Sequence, residues 1–557
     1  MTQIEIVLVN TNQRRNIEQG TTVAELAKQY LAEQPSDATK QPILGALVNN
    51  RIESLQYRIY NPKVVRLLTI NDRKGYRIYR DSLCFMLYKA AKDCFPTATL
   101  EIEHSLQDGF FCQINGNDLP SQQEVCAAIK QRMQELQKAD LPFEGKTMLL
   151  SDAIDLIRKE NLPKTLHLLE GLNQLYIEMN MLDGAVHKVN GKLAPSTGCL
   201  RCWDFCTYEN GYNLRCANPD SPNKLSALNE TPKLFTIFRE HHQWVDLLQT
   251  PTISDYNRIV HDKGGQHLIH LAEALHEKKY AEIAEMVKSS GARMVLLAGP
   301  SSSGKTTSCR RLSVQLSVLG YDVQQISLDD YFVCRARTPK LPNGEFDFES
   351  IDALDIPLLN EHLLSLFKGE EVKIPTFDFI KGDPYYSGKT LQLGKNSILV
   401  VEGIHALNPK LTAQIDESLK FKVYVSALTQ LAIDGQNIIH GSENRLVRRL
   451  VRDNNFRGWG ALDTLHRWPE VVRGERMHIF PYQENANVMF NSALLYELGV
   501  LKVYAEPLLK AVPENCEEYA TAQQLLTFSE LILPIESGKI PYNSIMREFL
   551  GGSSFEY

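Results

Sequence analysis

Apolar and polar positions alternate along the first residues of the chain, and then the apolar ones recur every three to four residues. "IEIVLVN" predicts a strand, and "TTVAELAKQYLAEQ" predicts an amphipathic helix capped by Thr21 or Thr22. "ILGALVNNRIESL" predicts a strand followed by an Asn-Asn turn. Residues 1–62 are therefore expected to form a small α+β module.

A second α+β unit is predicted over residues 63–225. "SLCFMLYKAAKDCF" has a helical period, "TLEIEHSL" and "GFFCQIN" are strand-like, and "SQQEVCAAIKQRMQELQKA" is a charged helix. The helical period then dominates from Thr231 to Ser290, with Gly291 as its stop. This stretch is assigned as a helical linker over residues 226–290.

Strands alternate with helices in the next part of the chain. "MVLLAG", "DVQQISLDD", "SILVVEGIH" and "FKVYVSA" are the predicted strands. Such alternation predicts a parallel sheet with helices on both faces over residues 291–490, followed by a helical extension and tail over 491–557. The fold class is thus multidomain, with α+β units preceding an α/β domain.

The junction between the first of these strands and its helix carries a phosphate-binding pattern. "GPSSSGKT" fits G-x-x-x-x-G-K-[ST] between an apolar strand and a helical run. Backbone N–H groups of such a loop and of the helix N-terminus can hold phosphate oxygens. Lys305 can reach the outer phosphates of a nucleotide, and the Thr306 hydroxyl can ligate Mg²⁺. The predicted nucleoside triphosphate site consists of Gly299, Pro300, Ser301, Ser302, Ser303, Gly304, Lys305, Thr306 and Thr307.

Carboxylates follow two other predicted strands. Asp329 and Asp330 close one strand, and Glu402 closes another. Ligands of open parallel sheets bind beyond the carboxyl ends of the strands. One carboxylate can share Mg²⁺ with Thr306 and another can accept the proton of an attacking hydroxyl, so Thr306, Asp329 and Glu402 are the candidate metal ligands. For any single acid, capping the next helix is the structural alternative.

A third feature is the arginine-rich segment "NRLVRRLVRDNNFRG". Four arginines recur at i, i+3, i+4 and i+7 on one helical face, a fifth follows in a predicted loop, and no acid intervenes before Asp453. We expect a lid that closes over phosphates rather than a solvated charged face. Its arginines are Arg445, Arg448, Arg449, Arg452 and Arg457.

Composition narrows the class of protein. A chain of 557 residues is too long for a single hydrophobic core, so we expect several domains. Its net charge of −7 argues against a protein that binds nucleic acid over most of its surface. No apolar run approaches membrane-spanning length, and the eleven scattered cysteines favour reduced thiols, so we expect a cytoplasmic protein without a membrane partner. The sequence is compatible with a homo-oligomer. "CLRCWDFC" could bind zinc or a cluster, but we expect separate thiols at Cys199, Cys202, Cys206 and Cys216.

The phosphate loop and the arginine segment, together with "SLDDYF", "EFDFESIDALD", "IPTFDFIKG" and "VVEGIH", resemble the uridine kinase and phosphoribulokinase family over roughly residues 293–491. The resemblance implies an ATP- and Mg²⁺-dependent kinase that phosphorylates the 5′-hydroxyl of a nucleoside, uridine or cytidine first. It makes Asp329 the acid that activates the acceptor, and Glu402 and Thr306 the Mg²⁺ ligands. It also implies nucleoside contacts by Phe346 and Asp347, a base pocket lined by Phe377 and Phe379, and lid arginines Arg449, Arg452 and Arg457, with Arg449 and Arg452 acting in catalysis.

Two positions depart from the family pattern. Gly382 stands where uridine-cytidine kinases carry a base-reading His, and Trp459 stands where they carry another lid Arg. Loss of the imidazole removes a hydrogen bond on which base discrimination could rest. Phosphoryl transfer is therefore expected, while the acceptor, including a sugar or sugar phosphate, and the choice between ATP and GTP stay open.

The front half has resemblances of its own. Residues 1–62 resemble the TGS module, a small ubiquitin-like fold, and "YRDSLCFMLYKAAKDCFPTATLEIEHSLQDGFF" resembles the second, editing-type domain of threonyl-tRNA synthetase. Two His four residues apart begin a metal site in that domain, but Asp81 and Phe85 occupy the matching positions, and Phe cannot ligate zinc. We expect a scaffold or binding surface rather than an editing enzyme.

The second function class is a nucleotide-binding regulator whose front domains contact RNA or ribosomes. The basic, aromatic-rich "RKGYRIYR", Arg73 to Arg80, could contact RNA, although a solvated strand is the expectation for it. A sensor needs neither lid arginines nor a sugar-binding acid such as Asp347, and no N-K-x-D base-reading motif occurs. The pattern therefore favours the enzyme.

Overall fold

The structure of the protein is a computed structural model that describes residues 2–34, 41–106, 108–228, 231–341, 344–379, 381–429 and 431–556. Its first unit is a mixed five-stranded sheet packed on one helix. The strand order is β2-β1-β7-β4-β5, with β1 and β7 parallel and the other pairs antiparallel, and β3 pairs with β6 outside it. The elements are β1 Gln3–Leu8, β2 Gln13–Glu18, β3 Thr21–Thr22, α1 Val23–Glu33, β4 Gly45–Val48, β5 Arg51–Glu53, β6 Arg58–Ile59 and β7 Val64–Leu68.

Local chemistry accounts for this unit. The predicted cap is confirmed at Thr22, whose side chain accepts from the Glu25 N–H while the Glu25 carboxylate accepts from the Thr22 N–H. The predicted Asn-Asn turn is also confirmed, since Asn49 and Asn50 join β4 to β5 with φ values of 47° and 59°. Asparagine tolerates this left-handed backbone better than other side chains.

The second unit places two long helices against antiparallel sheets. One sheet has the order β13-β14-β9-β8 and the other β10-β11-β12. The predicted helices and strands are present, and the first helix begins at Arg73, well before Ser82, where its pattern suggested a start. The elements are α2 Arg73–Cys94, β8 Thr99–Leu106, β9 Gly109–Asn115, α3 Gln122–Ala139, β10 Glu144–Leu149, α4 Leu150–Glu160, α5 Pro163–Glu170, β11 Tyr176–Leu182, β12 Ala185–His187, β13 Trp203–Tyr208 and β14 Gly211–Cys216.

The expectation of a solvated strand at Arg73 to Arg80 is wrong. These residues form the first two turns of α2, in which Tyr76 and Tyr79 are buried. Tyr76, Tyr79 and Leu83 recur at helical spacing and pack into the core, which explains why the segment folds as a helix. Arg77 and Arg80 make an ion pair and a hydrogen bond with the C-terminal half of the chain.

The third unit is built on an all-parallel sheet of order β16-β21-β15-β22-β23. The four predicted strands are confirmed, and the short fifth strand was missed. Along the central strand β15, Val295 and Leu297 pack into one core, whereas Met294, Leu296 and Ala298 pack into another on the opposite face. The strands are β15 Met294–Ala298, β16 Asp322–Ser327, β17 Val372–Lys373, β18 Thr376–Asp378, β19 Asp383–Tyr385, β20 Thr390–Leu391, β21 Ser397–Glu402, β22 Lys420–Ser426 and β23 Val488–Asn491, of which β17 to β20 form two hairpin pairs outside the sheet.

Helices cover both faces of this sheet. Helix α8 ends at Gly291 with φ of 70°, as its stop signal predicted. The stretch assigned as a linker contributes to the core, where Tyr256 and Tyr280 pack together with Leu501 and Phe549 of the C-terminal extension. The helices are α6 Pro232–Leu248, α7 Ile253–Lys263, α8 Gly265–Ser290, α9 Lys305–Val318, α10 Ile356–Phe367, α11 Gly441–Arg457, α12 Ala461–His478, α13 Glu497–Lys510, α14 Glu518–Ser529 and α15 Arg547–Leu550.

Two general features bear on the class of protein. Within the described ranges, no helix combines the length and the apolar character needed to cross a bilayer. All eleven cysteines belong to those ranges and are free thiols.

Candidate active site

The predicted phosphate loop lies between β15 and α9. A Cβ at Gly299 would come within 1.9 Å of the Val425 carbonyl oxygen, so the loop can only turn there with glycine. Gly304 has φ of 81° and is the N-cap of α9, which leaves the first N–H groups of that helix to be satisfied by other partners. Lys305 Nζ donates to the Pro300 carbonyl at 3.0 Å and so folds back over the loop.

Two arginines of α11 donate hydrogen bonds to backbone carbonyls of this loop. Arg445 Nη1 donates to the Ser301 carbonyl at 3.1 Å, and Arg448 Nη1 donates to the Ser302 carbonyl at 3.3 Å. Both side chains are buried. Arg445 forms a bidentate pair with Glu475 of α12, and Arg448 pairs with Glu497 of α13.

The expectation that Arg445 and Arg448 belong to an uncompensated lid is therefore wrong. Their counterions come from two other helices, so spacing within α11 could not show them. Glu475 Oε1 also accepts the Ser301 N–H at 3.1 Å, which ties the acid to the loop itself. Buried guanidinium groups persist only when they are paired in this way.

The other three arginines surround a single acid. Asp453 lies 3.1 Å from Arg449 Nε, 3.2 Å from Arg457 Nη1 and 3.6 Å from Arg452 Nε. Arg457 is the last residue of α11 rather than part of a loop. Burial, followed by the neighbouring Arg457, lowers the pKa of Arg452 to about 10. These three guanidiniums therefore share the carboxylate of Asp453.

Arg449 connects this cluster to the loop. Its Nη1 donates to the Ser301 hydroxyl at 2.9 Å. Arg449, Arg452 and Arg457 thus lie near the loop, and their role as lid arginines stays a prediction. Arg445 and Arg448 each pair with a carboxylate of their own, whereas these three arginines share Asp453.

Glu402 meets the phosphate loop at the end of β21. Its Oε1 accepts from the Thr306 hydroxyl at 3.3 Å and from the Ser327 hydroxyl at 3.4 Å. Burial, together with the nearby Asp329 carboxylate, raises the pKa of Glu402 to about 7, against the opposing effect of Lys305. Thr306 and Glu402, predicted as joint metal ligands from distant parts of the chain, are therefore neighbours.

Asp329 lies in a 3-10 turn, Leu328–Tyr331, and not at the end of a strand. Its side chain is accessible from the cleft, yet the surrounding protein excludes enough water to raise its pKa, an effect opposed by Lys305, Arg457 and Arg452. Those three cations place Asp329 on the phosphate-loop side of the cleft.

Asp330 has different neighbours. Burial raises its pKa, and Lys389 and the Phe377 N–H oppose that shift. The two adjacent acids therefore face different groups, because the 3-10 turn directs their side chains apart.

Aromatic rings form the wall of the cleft beyond Asp329. The Phe377 ring lies 5.1 Å from that of Phe379 and 5.5 Å from that of Phe332. Phe379 is 62% exposed, so one ring of the cluster is available to a ligand. Phe332 was missed as a site residue, although its place directly after "LDDY" was a usable signal.

Phe346 and Asp347 lie on a neighbouring loop. The Phe346 ring is 5.9 Å from that of Phe348 and carries the Lys340 ammonium 5.5 Å from its centroid. The Asp347 N–H donates to the Pro339 carbonyl at 2.8 Å, which holds the loop in place.

The two departures from the family pattern have structural counterparts. A Cβ at Gly382, where φ is 76°, would lie 2.7 Å from Arg335 Nε, so a guanidinium occupies the space that a side chain there would need. Trp459 stacks with Arg457 at 5.6 Å and with Arg467 at 4.1 Å. An arginine, Arg335, therefore lies next to Gly382, where uridine-cytidine kinases carry the base-reading His. Two arginines likewise lie next to Trp459, where those kinases carry a lid Arg.

Glu349 and Glu548 also reach the site and were missed by sequence reasoning. Burial and the nearby Glu475 raise the pKa of Glu349 to about 7. Glu548, in the short helix α15, accepts from the Thr307 N–H at 3.2 Å and from its hydroxyl at 2.7 Å. Glu349 stands within "EFDFESIDALD", so that motif was a usable signal for it. Glu548 stands in no quoted motif and is 241 residues from its partner, so no local signal marked it.

Within the described residues of the front half, no comparable set of metal-binding side chains occurs. Asp81 Oδ2 lies 3.5 Å from Arg77 Nε, and the buried Phe85 ring packs 5.8 Å from that of His187. Cys216 Sγ lies 3.5 Å from the Tyr76 hydroxyl. Over the part of the chain that the structure describes, no three His, Cys, Asp or Glu side chains are grouped so that they could hold a metal ion.

Comparison with known proteins assigns the third unit. Residues 294–495 match the model of the phosphoribulokinase/uridine kinase family. Residues 294–495 of this unit thus form a domain of that family, which we call the kinase domain. The uridine kinase of Mycoplasma genitalium is 28% identical over 179 residues, which cover 32% of this chain and 75% of that protein. A solved possible uridine kinase from Bacillus stearothermophilus, 17% identical with a TM-score of 0.27, is covered over 98% of its length by 38% of this chain.

The region in front of the kinase domain resembles another enzyme. Threonine–tRNA ligase of Desulforamulus reducens is 28% identical over 196 residues, which cover 35% of this chain. The chain spans only 30% of the length of that ligase. The assignment of residues 1–62 as a TGS module stays a prediction.

Proposed function

We propose that the protein is an ATP-dependent kinase that transfers the γ-phosphate to the 5′-hydroxyl of a nucleoside. The observation that carries this proposal is the position of Asp329 between two different surfaces. On one side lie Lys305, Arg452 and Arg457, and on the other its 3-10 turn packs against β18, which carries Phe377 of the aromatic wall. A protein that only sensed a nucleotide would need the first surface alone.

The phosphate side supplies charge and alignment. The loop N–H groups and Lys305 are placed to bind the nucleotide phosphates, and Arg449 and Arg452 are placed to neutralise charge that develops on the transferred group. Phosphoryl transfer depends on such positioning more than on covalent chemistry by the protein.

The donors near Glu402 fit a magnesium ion. Hard oxygen ligands are what Mg²⁺ prefers, and one or two carboxylates usually suffice because nucleotide phosphates and waters complete its shell. Thr306, Glu402 and Asp329 would hold it, since the Thr306 hydroxyl lies 3.3 Å from Glu402 Oε1 and the Asp329 carboxylate is a neighbour of Glu402. Bound Mg²⁺ would neutralise charge on the phosphates.

Asp329 is the group placed to accept the proton of the attacking hydroxyl. A carboxyl with a raised pKa is a stronger base than an ordinary one, which suits proton transfer at neutral pH. The neighbouring cations favour its ionised form. Asp330 is not placed for this role, because its neighbours are Lys389 and the Phe377 N–H.

Uridine or cytidine is the leading acceptor. The exposed Phe379 ring offers a stacking surface for a base, and Asp347 offers a carboxylate for sugar hydroxyls. Proteins named uridine kinase are among the relatives of the kinase domain, which adds support. Arg335 next to Gly382 makes an altered base preference part of the proposal.

The test is product analysis with γ-labelled ATP, Mg²⁺ and a panel of nucleosides, sugars and sugar phosphates. We expect label in a nucleoside 5′-monophosphate, with uridine or cytidine among the best acceptors, and none with Lys305→Met. Label found only in a sugar phosphate that lacks a base would overturn the nucleoside assignment. Absence of transfer to any acceptor, with intact nucleotide binding, would favour the sensing role.

A further inference from the structure

The residues that precede α11 lie inside the front half of the molecule. The Ile102 N–H of the edge strand β8 donates to the Gly435 carbonyl at 2.9 Å, and Gln436 Nε2 donates to the Leu100 carbonyl at 2.8 Å. We call residues 434–440 the entry segment. Its backbone and side chains thus attach the kinase domain to the edge of a front-domain sheet.

The entry segment is held on its other side as well. Asn437 Nδ2 donates to the Lys188 carbonyl at 2.8 Å, and Gln436 Oε1 lies 3.1 Å from His187 Nε2. Asp434 accepts from the Thr165 hydroxyl at 3.1 Å. Asp81 and Phe85 line the same cleft, so the place where an editing-type metal site was considered is partly filled by kinase-domain residues.

Two arginines of α2 bind the first turn of α11. The Arg77 guanidinium pairs with Glu443, and the Arg80 guanidinium bonds to the ring of His440. His440 is the N-cap of α11 and forms a capping box with Glu443, so both contacts fall on the residues that start the helix. Arg80 is itself fixed between the rings of Tyr76 and Phe110, at 5.1 and 5.0 Å.

Helix α11 can transmit this placement. From Ser442 to Arg457 it contains neither glycine nor proline, and it is a single α-helix. At 1.5 Å per residue, Arg449 and Arg452 lie about 14 and 18 Å along the axis from His440. A shift or tilt at the helix start therefore moves the guanidiniums that face the phosphate loop.

We infer that Arg77 and Arg80 are positioning residues for phosphoryl transfer, through which the front domain sets the position of α11 and so of Arg449 and Arg452. This gives the synthetase-like unit a role within the kinase reaction. The inference rests on the proposed function, because nucleotide phosphates are what Arg449 and Arg452 are placed to meet. Misplacement of such groups by about 1 Å is enough to weaken binding and catalysis.

The test is calorimetric titration of the full chain with Mg²⁺ and a non-hydrolysable ATP analogue, since it reports the bound fraction and the Kd separately. Arg77→Met removes the ion pair with Glu443 while keeping the volume of the side chain. We expect its Kd to rise roughly 5- to 30-fold with stoichiometry near that of the wild type, and Arg77→Lys to recover part of the loss. A purely structural role would lower the stoichiometry and leave the Kd unchanged.

Arg132→Met is the matched control, because Arg132 pairs with Asp93 inside the front domain, with its Nε 2.9 Å from the carboxylate. We expect it to bind like the wild type. Should Arg77→Met fail to fold, Glu443→Gln weakens the same pair from the other side, and a 3-fold or greater rise in its Kd is expected. Wild-type Kd values in the folded Arg77 and Glu443 variants would overturn the inference, whereas a wild-type chain that binds no nucleotide would overturn the proposed function.

Discussion

The Glu548 carboxylate accepts hydrogen bonds from both the backbone N–H and the hydroxyl of Thr307, at 3.2 and 2.7 Å. Thr307 belongs to the first turn of α9, whose N–H groups form part of the predicted phosphate cradle. An acid of the C-terminal extension therefore uses donors that a nucleotide phosphate would also need. Its charge also lies near Lys305 and Arg452.

Removal of this carboxylate should tighten nucleotide binding. In Glu548→Ala the Thr307 donors become available, and a negative charge leaves the cradle, so we expect the Kd of an ATP analogue to fall about tenfold, since a charge-assisted hydrogen bond is worth roughly 1.5–3 kcal/mol. The ligand-free protein should at the same time melt at a lower temperature. Glu530→Ala, an exposed acid after α14, is the control. Weaker nucleotide binding in Glu548→Ala would show that the acid supports the cradle.

Asp329→Asn separates binding from chemistry. The phosphate loop is untouched, so the Kd of the nucleotide should stay within a few-fold of the wild type. The rate of transfer should fall by roughly 10²–10⁴ if Asp329 is the general base. Single-turnover measurement with saturating acceptor gives this rate directly, and Asp330→Asn should lose far less. Equal losses in the two variants would contradict the assignment.

Asp347→Ala should act on the acceptor instead. Its expected role is to hold sugar hydroxyls, so the KM for the nucleoside should rise about 10- to 100-fold, the equivalent of roughly 1.5–3 kcal/mol for hydrogen bonds to a charged group. The KM for ATP should change little. Steady-state kinetics with each substrate varied in turn decides the point. A rise confined to the KM for ATP would remove Asp347 from the acceptor site.

Glu475→Gln should destabilise the kinase domain. Glu475 is fully buried and neutralises Arg445 beneath the phosphate loop, so loss of its charge leaves a buried guanidinium uncompensated, at about 3–5 kcal/mol. Glu470→Gln on the same helix removes a half-exposed pair with Arg473 and should cost less than about 1 kcal/mol. Denaturant unfolding of both variants provides the comparison. Similar losses for the two would mean that the buried pair contributes no more than the exposed one.

Glu349 should give the ligand-free protein a pH-dependent stability. Its folded pKa of about 7 exceeds that of an ordinary glutamate, so the folded state binds the proton more tightly, and this contribution is complete at low pH and lost as the pH rises through about 7. Glu349→Gln should match the stability of the wild type near pH 5 and have the higher Tm at pH 8, where the difference in the free energy of unfolding is on the order of 1–3 kcal/mol. Thermal melts between pH 5 and 8.5 measure it. A constant difference across that range would show that the glutamate titrates normally.

Much of the site was predictable because its chemistry is contiguous in sequence. The phosphate loop follows from one eight-residue pattern, since Gly299 and Gly304 must turn the backbone between a strand and a helix. Asp329 and Glu402 followed from the rule that parallel strands deliver their ends to one edge. The prediction of a strand at Arg73 to Arg80 was wrong because a short basic and aromatic segment fits both a strand and a helix. Only the burial of Tyr76 and Tyr79 in the tertiary structure decides between the two.

The sequence by itself determined the order of units, the parallel sheet and the identity of the phosphate-binding groups, because these depend on local periodicity and local backbone geometry. Only the tertiary structure decided how charge is distributed among the arginines of α11. Arg445 and Glu475 are 30 residues apart, Thr307 and Glu548 are 241 apart, and Arg77 and Glu443 are 366 apart. A charge pair between separate elements leaves no periodic trace in either of them. Its partner is selected by packing, which places the two groups together in a medium where an unpaired charge is too costly to keep.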